Sequence, residues 1–229
     1  MSVIDIIDVI NQQFPNESDR IEAFRRLDEQ DRTFNNFMRL GLSEIKLPYA
    51  LFYVRISDRT FNNIMSIFSR RATSECTRVH LFGLLPETER TFLNLSRLNI
   101  TDSFCRELAF NYLREQDRTI NNLRNYIFPS DDEMFISNCF TNVKRQEFTF
   151  SNLMNLNLQE EYARLNAFIF LLDPDKTGFN LYRLNLTGAN YQYALRKLSP
   201  FQQQIARLLD RTTRQNNNLG LQRQQENER

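Results

Sequence analysis

Glu89-Arg90-Thr91-Phe92-Leu93-Asn94-Leu95-Ser96-Arg97-Leu98-Asn99-Ile100 decides the fold, because the chain repeats its pattern. An acidic residue is followed two places later by Thr, five places later by Asn, and then by an aliphatic or aromatic residue. Five other copies begin at Asp31, Asp58, Asp117, Glu147 and Asp175, with successive starts 27, 31, 28, 30 and 28 residues apart. A fixed period in this range marks a repeat architecture, in which each unit buries its apolar face against its neighbours.

Position zero is the residue after the repeated Asn: Phe37, Ile64, Leu95, Leu123, Leu153 or Leu181. Thirteen residues earlier stand Phe24, Leu51, Phe82, Phe110, Phe140 and Phe168, and three residues after those Leu27, Val54, Leu85, Leu113, Val143 and Leu171. Apolar residues three apart in segments such as Glu107-Leu108-Ala109-Phe110-Asn111-Tyr112-Leu113 predict a helix. The register between this helix and position zero never changes. All length variation falls after position zero, where a loop absorbs it.

Positions 0, +3 and +5 are apolar in 17 of 18 cases, and position +2 is always polar. Two structures compete for this stretch. In a helix capped by the repeated Thr, positions −3, 0, +3 and +5 share one face. Position +4 would then lie in the middle of that face, yet it holds Gly41, Phe68, Asn99, Ile127, Asn157 and Asn185. In a short strand, +3 and +5 point inward while +2 and +4 point outward, which exposes every Asn. The strand is the preferred reading. It predicts an α/β solenoid of six repeats of 27–31 residues with helical caps, and the alternative is an all-α solenoid.

The segments Leu95-Ser96-Arg97-Leu98-Asn99-Ile100, Leu153-Met154-Asn155-Leu156-Asn157-Leu158 and Leu181-Tyr182-Arg183-Leu184-Asn185-Leu186 resemble the leucine-rich repeat. Repeat length and the helix between copies are similar to the ribonuclease-inhibitor and NOD-like-receptor subtype over roughly residues 20 to 190. The Asn that this family places three residues after the last strand Leu is replaced by Ile45, Ala72, Ser103, Asp131, Glu161 and Ala189. The resemblance implies a concave strand face lined by positions +2 and +4, and a protein-interaction role. A small Asn- and Phe-rich repeat chain of this kind also resembles bacterial effectors with eukaryotic-like repeats.

Composition narrows the function. The 229 residues carry a net charge of +1, which lacks the basic excess of a dedicated DNA binder. No apolar run approaches the length of a membrane span. The N-terminus, Met1-Ser2-Val3-Ile4-Asp5, has acids and no basic region, so no secretory signal is read there. The expected location is the cytoplasm, or a host cell reached by a route independent of a signal peptide. Cys76, Cys105 and Cys139 read as reduced core thiols. The expected divisions are an N-terminal helical cap over 1–30, a six-repeat solenoid over 31–190, a C-terminal helical cap over 191–210 broken near Pro200, and a disordered Gln/Asn/Arg-rich tail over 211–229.

Catalytic and metal chemistry find little purchase. Asp173-Pro174-Asp175-Lys176-Thr177-Gly178 begins like an EF-hand loop, but the position of the bidentate Glu is Leu184. Cys76 and His80 are one helical turn apart with no further ligand nearby in sequence. His80 is the only His, and the five Gly form no phosphate loop. No enzyme activity, metal or cofactor is expected. The expected binding residues are those of the outward strand positions: Arg39, Phe68, Arg97, Asn99, Ile127, Asn155, Asn157, Arg183 and Asn185. The expected partner is a protein, bound by a monomer. Nucleic-acid binding through Arg39, Arg97, Arg183 and the tail is the alternative, disfavoured by the charge balance.

Overall fold

The computed structural model describes residues 5–127 and 132–212. Among these residues it contains helices and turns and no strand. The chain packs as two units, Met1–Arg118 and Thr119–Arg229. The first holds α1 (Ile6–Gln13), α2 (Glu17–Arg25), α3 (Phe34–Arg39), α4 (Leu47–Leu51), α5 (Phe61–Arg70), α6 (Glu75–Gly83), α7 (Phe92–Ser96) and α8 (Ser103–Tyr112). The second holds α9 (Ile120–Tyr126), α10 (Glu133–Phe140), α11 (Phe150–Asn155), α12 (Glu161–Ile169), α13 (Gly178–Arg183), α14 (Gly188–Leu195) and α15, which begins at 200 and runs through 212. Of the tail expected over 211–229, residues 211 and 212 continue α15, and 213–229 lie outside the described residues, as do 1–4 and 128–131.

Each repeat is a pair of helices. The even-numbered helices from α2 to α12 carry the spine residues Phe24, Leu51, Phe82, Phe110, Phe140 and Phe168, all fully buried. The residue before the spine is small in five copies, and four of these, Ala50, Ala109, Cys139 and Ala167, are fully buried, which lets neighbouring helices approach. Within the units α2 packs on α4, α4 on α6 and α6 on α8, and α10 packs on α12. A single 3₁₀ turn then ends on the repeated acid, as in Glu87–Glu89 and Arg145–Glu147. The repeated Thr caps a second, shorter helix, with its Oγ1 accepting from the N–H of the repeated Asn in all six copies, for example Asn94 N–H at 3.2 Å. The Asn side chain reaches back to the carbonyl of the acid, as Asn94 Nδ2 does to Glu89 O at 2.8 Å.

The structure therefore overturns both the strand and the leucine-rich-repeat resemblance. Leu95–Ile100 does not form a strand: α7 spans Phe92–Ser96, and Asn99 stands just beyond it with φ +50°. Gly41, Asn157 and Asn185 lie at the same place with φ of +62°, +52° and +49°. Gly and Asn recur at position +4 because a helix that stops there needs a residue able to enter the left-handed region. They are not the exposed positions of a pleated strand. The two exceptions agree: at Phe68 the helix α5 runs on to Arg70, and Ile127 leaves its helix in an extended conformation. The inward positions stay buried on the short helices or in the turn that ends them, with Phe37, Ile64, Ile67, Leu95 and Leu181 on helices and Leu40, Leu98 and Leu184 just beyond.

Two sets of carboxylates join one repeat to the next. Asp58 Oδ2 accepts from the Phe34 N–H at 3.0 Å, Glu89 Oε2 from Phe61 at 3.0 Å, Asp117 Oδ2 from Phe92 at 3.4 Å and Glu147 Oε2 from Ile120 at 3.0 Å. These four repeated acids thus satisfy the first orphan N–H of the preceding repeat's short helix. At the other end a Glu lies seven residues before the spine residue in five copies: Glu17, Glu44, Glu75, Glu133 and Glu161. Glu75 accepts from the N–H groups of Thr101 and Asp102 at 2.8 and 2.7 Å, and Glu44 from that of Ser74 at 2.5 Å. Glu133 accepts from the Glu160 N–H, Glu161 from that of Thr187, and Glu17 from the Ser43 hydroxyl.

After the sixth copy α15 takes the place of a further repeat. Gln202 Oε1 accepts from the Gly178 N–H at 2.8 Å, as the repeated acids do elsewhere. A Cβ on Gly178 would stand 2.3 Å from Gln202 O and 2.7 Å from Ala206 N. That close approach explains why the sixth copy has Gly where the others have Phe34, Phe61, Phe92, Ile120 and Phe150.

Candidate functional site

The first unit carries a groove of about 850 Å³ over the outer face of α2, α4, α6 and α8. The side chains that shape it come from successive spine-bearing helices: Ile21 from α2, Tyr49 from α4 with Phe52 and Tyr53 just beyond it, Cys76 and His80 from α6, and Tyr112 from α8. Ile45, Tyr49 and Phe52 are 76%, 64% and 58% exposed. These helices turn the spine residue inward, so residues six and two before it, and one or two after it, face water. On α2 such places hold Ser18, Glu22, Arg25 and Arg26, but in the second copy they hold Ile45, Tyr49, Phe52 and Tyr53. Gly83 keeps the floor low, since a Cβ there would meet the Tyr112 ring at 2.7 Å.

Charge in the lining of the groove is one-sided, while Glu22 pairs with Arg25 at its border. Lys46 is the one permanently charged side chain in its lining, and no carboxylate lines it. Its Nζ lies 5.8 Å from the centre of the Tyr49 ring and 3.2 Å from Ser18 Oγ. Arg59 lies over the Phe52 ring and Arg25 over the Tyr53 ring, each at 6.0 Å. His80 Nδ1 meets the Cys76 carbonyl at 2.8 Å; a carbonyl only accepts, so Nδ1 is the donor. Among the described residues no carboxylate is hydrogen-bonded to the ring in the way that orients a catalytic base.

The residues expected to bind are not gathered on a strand face. In the first unit Arg39 ends α3, where it pairs with Asp5 at 2.5 Å and Asp8 at 2.9 Å. Phe68 lies half-buried in α5. Arg97 is exposed, with its guanidinium 5.0 Å from the centre of the Phe61 ring of the preceding repeat, and Asn99 is the left-handed residue after α7. In the second unit Asn155 ends α11 and Ile127 follows α9. Asn157 and Asn185 are left-handed residues after short helices, and Arg183 stacks on Phe150 at 5.1 Å. The recurring role at these positions is to end a short helix and to cover an aromatic ring.

Sequence reasoning missed the groove because its rings do not recur at one place in every copy. A signal existed: Ile45, Phe104 and Tyr162 all stand six residues before a spine residue and are 76%, 69% and 60% exposed. The EF-hand-like stretch is an ordinary repeat turn, with Asp173–Asp175 in the 3₁₀ turn and Thr177 capping α13. Among the described residues no three His, Cys, Asp or Glu side chains converge as metal ligands do. Of the thiols, Cys105 and Cys139 are buried, while Cys76 is exposed and so is not a core thiol. No described helix is long and apolar enough to cross a membrane. Comparison with protein-family models, with curated proteins and with solved structures gave no match.

Proposed function

We propose that this chain is a non-enzymatic binding module that docks a protein partner in the aromatic groove of its first unit. The observation that carries the reading is the cluster Ile45, Tyr49 and Phe52, three exposed large apolar side chains that line one groove together. Contiguous apolar surface with a polar rim is costly in water and marks interaction sites, and Tyr, Phe and Arg are the usual anchors of such sites. The lining sets the partner's chemistry. Rings and aliphatic carbons favour a segment with apolar side chains, and Lys46, with no carboxylate beside it in the lining, favours acidic residues in that segment.

The test is selection from a displayed random-peptide library on the full chain, followed by affinity measurement of the enriched peptides. Enriched peptides should pair apolar side chains with Asp or Glu. Tyr49→Ala with Phe52→Ala should weaken their binding at least tenfold without shifting the melting temperature. Lys46→Glu should weaken the acidic peptides selectively. Peptides that bind the Tyr49/Phe52 variant as well as they bind the wild type would refute the assignment.

A further inference from the structure

We propose that Cys76 and Cys105 are the site of a reversible disulfide that ties α6 to α8. Their Sγ atoms lie 2.8 Å apart, between helices that pack directly on each other and 29 residues apart in the chain. A disulfide bond measures about 2.05 Å, so closing the gap asks for a sulfur displacement well under 1 Å. The two thiols are not equivalent. Cys76 is exposed in the first turn of α6, where a soluble reagent can reach it. Cys105 is buried in the first turn of α8, and burial, with the neighbouring Cys76 and Asp102, pushes its thiol well above the ordinary range. Cys76 is therefore the sulfur that a reagent meets first, and Cys105 the one that resolves the intermediate.

The oxidant is a small soluble disulfide of the glutathione class. Cys76, having given its proton to water, attacks one sulfur of that disulfide; the S–S bond breaks and one small thiolate leaves, taking up a proton. Cys105 Sγ then attacks the Cys76 sulfur, the mixed disulfide breaks, and the Cys105 proton goes with the second small thiolate. The protein loses two hydrogens and two electrons, and the small disulfide becomes two thiols. The product closes a loop across repeats three and four and so restricts the unfolded chain.

The experiment equilibrates the full chain in buffers of graded reduced-to-oxidised glutathione ratio, quenches with acid, and reads intact mass, maleimide labelling and peptide maps. The expected result on the wild type is a loss of two hydrogens, a single Cys76–Cys105 crosslinked peptide, and return of both thiols to maleimide labelling when the ratio is reversed. The exposed variant Cys76→Ser should stay unmodified at ratios that link the wild type. Cys105→Ser, if it folds, should accumulate one glutathione on Cys76. A stable glutathione adduct on wild-type Cys76, a crosslink through Cys139, or unlinked thiols at the most oxidising ratio would each overturn the proposal.

Discussion

The carboxylate of Asp58 accepts a hydrogen bond from the N–H of Phe34 at 3.0 Å, across 24 residues and from one repeat to the one before it. The first N–H of a helix has no partner within that helix, and a charged acceptor there satisfies it while meeting the positive end of the helix dipole. The same residue type at the same register serves Phe61, Phe92 and Ile120. A repeated acid that looks like half of a local turn motif is therefore the joint between repeats.

The joint predicts an asymmetry along the chain. Asp58→Ala and Glu147→Ala should each lower stability by about 1–2 kcal/mol, the usual cost of a lost helix cap. Asp31→Ala, which changes the first acid of the series and has no earlier short helix to reach, should cost clearly less. Urea denaturation midpoints of the three variants at pH 7 check this, and equal losses in all three would count against the joint.

The left-handed residues predict a test of backbone geometry alone. A Cβ on Gly41 would meet nothing within 4 Å, so Gly41→Ala carries no steric cost from neighbours. It should still destabilise by about 1 kcal/mol, the cost of left-handed φ for a residue with a side chain. Asn99→Gly should be neutral or slightly stabilising and Asn99→Ala destabilising, as read by thermal denaturation.

At Gly178 the expected effect is larger. Gly178→Phe restores the aromatic that the other repeats favour, but its Cβ would collide with backbone atoms of Gln202 and Ala206. We expect α15 to detach, with a loss of several kcal/mol in line with steric overpacking. Hydrogen exchange over 200–212 should accelerate in this variant while that of α2 to α6 is unchanged.

The joints titrate. The Ser43 hydroxyl holds the Glu17 carboxyl below its usual value, hydrogen bonds from Ser74 do so for Glu44, and the Thr187 N–H does so for Glu161. Burial opposes the charge on Glu75 and Asp58, yet hydrogen bonds from Thr101 and Asp102, and from Arg55 and Phe34, bring both below the usual range. A lowered carboxylate pKa adds stability that is complete above the unfolded value and is lost as pH falls through the folded one. Thermal midpoints should thus be flat from pH 7 to about 5 and fall below the ordinary Glu value of 4.5. Glu75→Gln should show a shallower acid limb than the wild type.

The repeat and its register were legible in the sequence because burial leaves an unbroken mark. Phe24, Leu51, Phe82, Phe110, Phe140 and Phe168 are all fully buried, and Thr and Asn hold the turn as their recurrence suggests. The choice between strand and helix failed at position +4, since Gly and Asn suit two different physical needs, exposure on a strand and positive φ after a helix. Phe68 and Ile127 were the distinguishing copies, because a stop signal is absent where the helix continues or leaves by another route. The Glu seven residues before the spine residue in five copies carries no apolar mark and lies outside the acid–Thr–Asn pattern, so it does not stand out in the sequence. The groove was hidden for a different reason: Ile45, Tyr49 and Phe52 crowd into one copy, and a repeat analysis looks for what copies share.

The most direct measurement is amide hydrogen exchange at the first residue of each short helix. Such N–H groups ordinarily exchange fast because nothing in their own helix accepts from them. The amides of Phe34, Phe61 and Ile120 should be protected in the wild type. Asp58→Ala should remove protection at Phe34 while leaving Phe61 and Ile120 unchanged. Fast exchange at all three in the wild type, or a loss of protection spread evenly over them in the variant, would contradict the joint between repeats.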